Sequence, residues 1–190
     1  MWGTRIAGSP SDVLPHNVMA AGEPLRLYFV CTSNTCRSPM AEVIAKRWLA
    51  ARGGFRMDDL EEHSMHVHSR GLTTDFEPEG TPMNPNSVAA LRSLGIPGDR
   101  FGVATHRSQM MRPEEVAGAT MVVCMAHRHK TAVLDMCPQA SDKTIVLEPE
   151  IPDPWGGSQS VYTRCAQQLS GAVHRALEVA FGGCGGEPGG

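Results

Sequence analysis

The stretch Cys31-Thr32-Ser33-Asn34-Thr35-Cys36-Arg37 follows directly on the largely apolar run Leu25 to Val30. The run reads as a strand ending at Val30. A helix pattern begins near Cys36 and continues through Ala41-Glu42-Val43-Ile44-Ala45. Five residues separate Cys31 from Arg37, and they span the turn from strand to helix. Such a loop points its backbone N–H groups inward as an anion nest. The helix N-terminus adds partial positive charge, worth ~0.3–1 kcal/mol and ~2 kcal/mol when partly buried. Arg37 supplies a two-pronged fork for two phosphate oxygens. The same field favours thiolate over thiol at Cys31. The arrangement suits holding a phosphate-sized oxyanion against a thiolate.

A Cys-x5-Arg spacing recurs by chance, and a buried cysteine before an ordinary helix would look the same. The flanking residues distinguish the two. Ser38 offers a hydroxyl to the Cys31 sulfur, and Pro39 suits a first helical turn, where its missing N–H costs nothing. Every position from Thr32 to Cys36 is small or polar.

Composition excludes several classes. The chain has 190 residues, which suits one domain, and a formal net charge of −3, which gives nucleic-acid binding no electrostatic support. Its six cysteines, at 31, 36, 124, 137, 165 and 184, lack zinc-ligand spacing, so no metal or cofactor is expected. A chain of this size builds its own core without a disulfide framework, so a reducing, cytoplasmic compartment is expected. No apolar run is long enough to span a membrane. Residues 1–24, interrupted by Gly and Pro, read as a disordered N-terminal extension. Residues 182–190 read as a flexible Gly-rich tail. The domain is expected over residues 25–181.

Apolar and helical patterns alternate along that span. Strands are expected at Leu25–Val30, Met65–Ser69, Thr120–Met125 and Thr144–Leu147. Helices are expected at Arg37–Arg52, Asn86–Leu94, from Arg112-Pro113, over His127–Asp135, and from Ser158 through Val179. The last carries an apolar stripe of Val161, Cys165, Leu169, Val173, Leu177 and Phe181. Gly53 to Ser64 reads as a polar loop, its acidic run Asp58 to Glu62 a solvated face. His127, Arg128, His129 and Lys130 read as a basic patch, either solvated or touching acidic groups of a substrate. The alternation implies an α/β fold with a parallel sheet covered by helices on both faces. Ligands then sit at the carboxyl ends of strands, where the Cys31 loop lies.

The run Phe29-Val-Cys-Thr-Ser-Asn-Thr-Cys-Arg-Ser-Pro-Met-Ala-Glu42 closely resembles the start of the low-molecular-weight protein tyrosine phosphatases. A second match is Ile151-Pro152-Asp153-Pro154-Trp155-Gly156-Gly157-Ser158, with weaker ones at Ser69-Arg70-Gly71, Leu94-Gly95-Ile96, His106-Arg107-Ser108 and Met125-Ala126-His127. The resemblance implies three layers around a four-stranded parallel sheet, with the phosphate-binding loop after the first strand. It implies a metal-independent phosphatase that takes phosphorylated proteins, releases inorganic phosphate and is a monomer or weak dimer. Cys31 is then the nucleophile, Arg37 the anion-binding cation and Asp153, in an Asp-Pro-aromatic motif, the general acid. The phosphate is held by Thr32, Ser33, Asn34, Thr35, Cys36, Arg37 and Ser38. Asn34, Ser38, Ser69 and His106 brace the loop, Trp155 lines the mouth, and Cys36 forms a reversible disulfide with Cys31 under oxidation.

Thr35 bears on the substrate. By the same resemblance, tyrosine-directed members carry a bulky aliphatic residue here, and bacterial-type arginine phosphatases carry threonine. Two departures are Ser33, usually glycine, and Trp155, usually smaller. An arsenate reductase using the same loop is the competing reading, with Cys124 and Cys137 available as relay thiols. A phosphoprotein-binding module without catalysis would lack the nucleophile, the arginine or the acid, and none is missing.

Overall fold

The computed structural model describes residues 23–181. Most of the expected N-terminal extension and all of the expected tail lie outside the described residues. Four strands form one sheet: β1 (Leu25–Val30), β2 (Met65–Arg70), β3 (Met121–Cys124) and β4 (Thr144–Val146). They run parallel in the order β2-β1-β3-β4. The helices are α1 (Arg37–Gly53), α2 (Pro85–Ser93), α3 (Pro113–Gly118), α4 (His127–Met136) and α5 (Gln159–Phe181).

Strand periodicity builds the two cores. In β1, Leu25, Leu27 and Phe29 join one cluster with residues of α1 and α5. Tyr28 and Val30 join the other, with Val116 of α3 and Val133 of α4. β3 divides in the same way, with Met121 and Val123 on one side and Val122 and Cys124 on the other. Successive side chains of a strand point to opposite faces, so a strand buried on both faces reads as an unbroken apolar run. The expected three-layer α/β architecture is the one observed.

Strand order reverses at β1, since the chain leaves it first for β2 and then returns on its other side as β3. This switch point opens a crevice at the carboxyl ends of β1 and β3. Cys31 is the first residue beyond β1. The segment after β4 folds back over the same edge, with Leu147 N–H bonded to Cys124 O at 2.9 Å and Ile151 N–H to Met125 O at 2.9 Å. Asp153 therefore arrives above the crevice from a distant part of the chain. Among the described residues no helix is long and apolar enough to cross a membrane.

Three expectations need correction. The stripe on α5 begins with Tyr162, not Val161: Tyr162 is buried and Val161 is exposed. The span Gly53 to Ser64 is not all solvated loop, because it carries a 3-10 turn at Met57–Asp59 and buries Leu60 under the core. α2 starts at Pro85, one residue early, because Asn84 caps it by accepting from Asn86 N–H at 2.9 Å. Proline at the first helical position completes that start.

The α5 correction is testable by denaturant unfolding. Leu169→Ala removes a fully buried side chain and should lower the unfolding free energy by about 2–5 kcal/mol. Val161→Ser should change it by less than about 0.5 kcal/mol. Comparable losses in both would restore Val161 to the core.

Candidate active site

The loop from Cys31 to Cys36 is held by its neighbours at every turn. Cys31 N–H extends the β1–β2 ladder to Arg70 O at 3.2 Å. Thr32 O accepts from Leu72 N–H at 2.7 Å and Thr73 N–H at 3.1 Å. Glycine at 71 suits this close approach, since a Cβ there would lie 3.1 Å from both Thr32 O and Ser33 C and 2.6 Å from the Met110 side chain. Asn34 turns the loop with φ 57, a left-handed conformation that asparagine tolerates. Ser33 is not among the residues with positive φ, which is how a serine is accommodated there.

Asn34 is also the hub of a buried polar network. Its Nδ2 donates to Ser38 Oγ at 3.0 Å and to Ser69 Oγ at 2.9 Å, and its Oδ1 accepts from Gln109 N–H at 2.9 Å. His106 Nε2 donates to Asn34 O at 2.8 Å. Ser69 donates onward to Glu42 Oε2 at 2.6 Å, and Lys46 donates to Glu42 Oε1 at 2.6 Å. Burial acts to raise the Glu42 pKa, but the Lys46 charge and the Lys46 and Ser69 hydrogen bonds outweigh it and lower the value. Burial lowers the pKa of His106, opposed by its bond to the Asn34 carbonyl. Because Ser38 Oγ accepts from Asn34, its own proton is free for Cys31 Sγ, 3.0 Å away, with Arg70 O at 3.3 Å the alternative acceptor.

Arg37 occupies the first position of α1 and is 1% exposed. A cation there opposes the helix dipole, and the first turn contains no acidic residue. Its Nη1 donates to Ile151 O at 3.2 Å and its Nη2 to Thr32 Oγ1 at 3.3 Å and to the Asp153 carboxylate. Its Nε, although buried, has no protein partner. A buried donor left unpaired is costly, so this one is suited to an incoming oxyanion.

Cys31, Thr32, Ser33, Thr35, Cys36, Arg37 and Asp153 line one cavity of about 460 Å³. Trp155, Phe76 and Arg128 complete it. Trp155 and Phe76 are largely exposed, with ring centroids 6.5 Å apart, and form an aromatic wall. Asn34, Ser38, Ser69 and His106 stand behind the loop in the polar network. Cys36 Sγ lies 3.6 Å from Tyr162 Oη and 3.7 Å from Thr35 Oγ1. Burial raises the Cys36 pKa, partly offset by those two hydrogen bonds.

Several of these residues escaped the sequence reading. Phe76 is a lone aromatic in a polar loop, and that isolation was its only signal. Tyr162 was passed over for Val161. His129 departs from the expected solvated patch. It is buried, its pKa is pushed down to about 3, chiefly by burial and then by Arg37, and its Nε2 lies 3.2 Å from Thr32 Oγ1. Thr32 Oγ1 thus lies between Arg37 Nη2 and His129 Nε2, and the imidazole steadies the side chain beside the guanidinium.

Comparison with known proteins agrees with this geometry. Residues 26–179 match the low molecular weight phosphotyrosine protein phosphatase family. A protein-arginine-phosphatase from Geobacillus stearothermophilus is 31% identical over 162 residues, 82% of this chain and 95% of that protein. The crystal structure of a low molecular weight protein tyrosine phosphatase from T. tengcongensis aligns with TM-score 0.66 and 33% identity, covering 81% of this chain and 98% of that one. An arsenate reductase from Bacillus licheniformis is 28% identical over 131 residues, 68% of this chain and 70% of that protein. The oxyanion loop after β1, the buried arginine beneath it and the match across most of the described fold make this chain a phosphatase of the low molecular weight phosphotyrosine protein phosphatase family.

Proposed function

We propose that this chain hydrolyses phosphorylated protein side chains through a phosphocysteine on Cys31, with phosphoarginine as the preferred substrate. The convergence of the Cys31 sulfur, the buried Arg37 and the Asp153 carboxylate on one cavity carries the reading. Phosphate oxygens meet the loop N–H groups and Arg37, whose Nε is unpaired. The incoming phosphate, entering as the monoanion, competes with Asp153 for the guanidinium; the released carboxylate takes up the phosphate's proton and faces the leaving group. The Cys31 thiolate, with Ser38 donating to it, attacks phosphorus in line. The S–P bond forms, the bond to the leaving nitrogen or oxygen breaks, and Asp153 protonates that atom. Asp153 then takes a proton from water as the water attacks phosphorus. The S–P bond breaks, and inorganic phosphate leaves with the thiolate restored. No metal enters this sequence.

Thr35 supports phosphoarginine. It is buried in the cavity wall beside Cys36. A threonine leaves room for a planar guanidinium and offers it a hydroxyl, where a larger aliphatic side chain would crowd it. Asp153 also suits a guanidinium as counter-charge. Cys36 lies in the same cavity as Cys31, which supports a reversible disulfide between them under oxidation. The free thiols at 31, 36, 124, 137 and 165 suit a reducing cytoplasm.

The arsenate reductase alternative is less well served. Neither Cys124 nor Cys137 lines the cavity. Cys124 is fully buried in β3, and burial pushes its pKa up to about 12. A relay thiol needs thiolate character and access.

Two kinetic outcomes follow. Asp153→Asn should slow turnover of phosphoarginine and of aryl phosphates with high-pKa phenols by about 10²–10⁴-fold. Activated aryl phosphates, whose leaving groups need no proton, should suffer far less. Equal losses on both would make Asp153 structural. Thr35→Ile should shift the ratio of phosphoarginine to phosphotyrosine kcat/KM toward phosphotyrosine by about 10–200-fold, as expected for one misplaced contact in such a pocket. A wild type that already favours phosphotyrosine, with an unchanged ratio in the variant, would overturn the preference for phosphoarginine.

A further inference from the structure

We propose that Arg128 selects substrate proteins carrying an acidic residue beside the phosphorylated one, a reading that rests on the phosphatase function above. Arg128 is exposed, and it lines the cavity with Phe76 and Trp155. Arg37, by contrast, is buried at the cavity floor. The two guanidinium groups therefore serve different depths. The floor receives the phosphate, and the rim meets whatever chain carries it.

Among the described residues Arg128 has no direct carboxylate partner at the cavity rim. Asp153, the acidic residue in the cavity lining, is bound to Arg37. Glu150, which feels the Arg128 charge, is bound to the His127 ring and also accepts from His127 N–H at 3.3 Å. Both carboxylates thus make their hydrogen bonds to other residues, and neither bonds to Arg128. Among the described residues Arg128 itself has no ion pair or hydrogen bond. It also sits in the first turn of α4, which carries no acidic residue, so the helix dipole adds to the positive potential. The forked donors of Arg128 are open to a carboxylate brought by a substrate.

A substrate polypeptide supplies one readily. Consecutive Cα atoms lie about 3.8 Å apart, so residues flanking the phosphorylated side chain cross the rim as that side chain reaches the floor. Arg offers a forked, permanently charged donor set matched to a carboxylate. Rim charges of this kind act chiefly on association and partner choice, and salt screens them.

The test uses the Cys31→Ser chain as a non-hydrolysing binder, with phosphopeptides identical except for Asp, Ala or Lys on either side of the phosphorylated residue. With Arg128 present, affinity should fall in the order Asp, Ala, Lys by about two- to fivefold per step at low salt. The steps should shrink at high salt. Arg128→Glu in the same background should reverse the order. An unchanged order in that variant would overturn the proposal, as would failure of all three peptides to bind. So would an equal weakening of all three peptides and of inorganic phosphate, because Arg128 would then hold the phosphate itself. The phosphatase reading fails separately, if the wild type releases no phosphate from these peptides whatever their binding order.

Discussion

A buried guanidinium at a helix N-terminus is the constraint on which this protein is organised. Taking Arg37 out of water costs several kcal/mol unless the charge is paired and hydrogen-bonded. The helix dipole at that position makes matters worse. The protein meets most of the demand with the Ile151 carbonyl, the Thr32 hydroxyl and the Asp153 carboxylate. The Nε donor remains unpaired. In chemical terms, Asp153 holds the place of an oxyanion. In the proposed mechanism, a phosphate that enters displaces it, satisfies the arginine more fully and leaves Asp153 free to handle protons. That mechanism makes substrate binding and release of Asp153 one event.

The rest of the fold keeps that arrangement in register. Parallel strands buried on both faces fix where β1 ends, and the reversal of strand order at β1 opens the crevice there. Asn34 anchors the loop from behind through Ser38, Ser69, Gln109 and His106, and Glu42 with Lys46 extends the network outward. Buried polar networks are stabilising when every member is satisfied, and Asn34 uses all of its side-chain donors and its acceptor. The consequence is a loop whose backbone is pinned from behind by hydrogen bonds. Preorganised donors of this sort contribute to rate because no reorganisation accompanies the reaction.

Much of this was legible in the residues, for identifiable reasons. The Leu25–Val30 strand and the loop from Cys31 to Arg37 are contiguous in sequence, so local patterning and spacing sufficed to read both. The parallel sheet followed from the alternation of apolar runs and helical stretches. What escaped were contacts between residues far apart in sequence. Tyr162 reaches Cys36 across 126 positions, and His129 reaches Thr32 across 97. The buried His129 shares its short segment with exposed His127 and Arg128, so composition alone suggested a single solvated patch. On α5 the expected stripe holds at Cys165, Leu169, Val173 and Leu177, and only its first position differs, because Val161 and Tyr162 are both plausible core residues. Only packing against the loop selects the tyrosine.

The account stands on covalent transfer of the phosphoryl group to Cys31. Mixing the protein with excess phosphorylated substrate, quenching within the first turnovers and mapping the digest by mass spectrometry tests it directly. A phosphoryl group on the Cys31 peptide, formed and lost at rates that match steady-state turnover, is the predicted result. Phosphate release at the normal rate with no phosphoryl group on Cys31, or sustained turnover by Cys31→Ser, would contradict it.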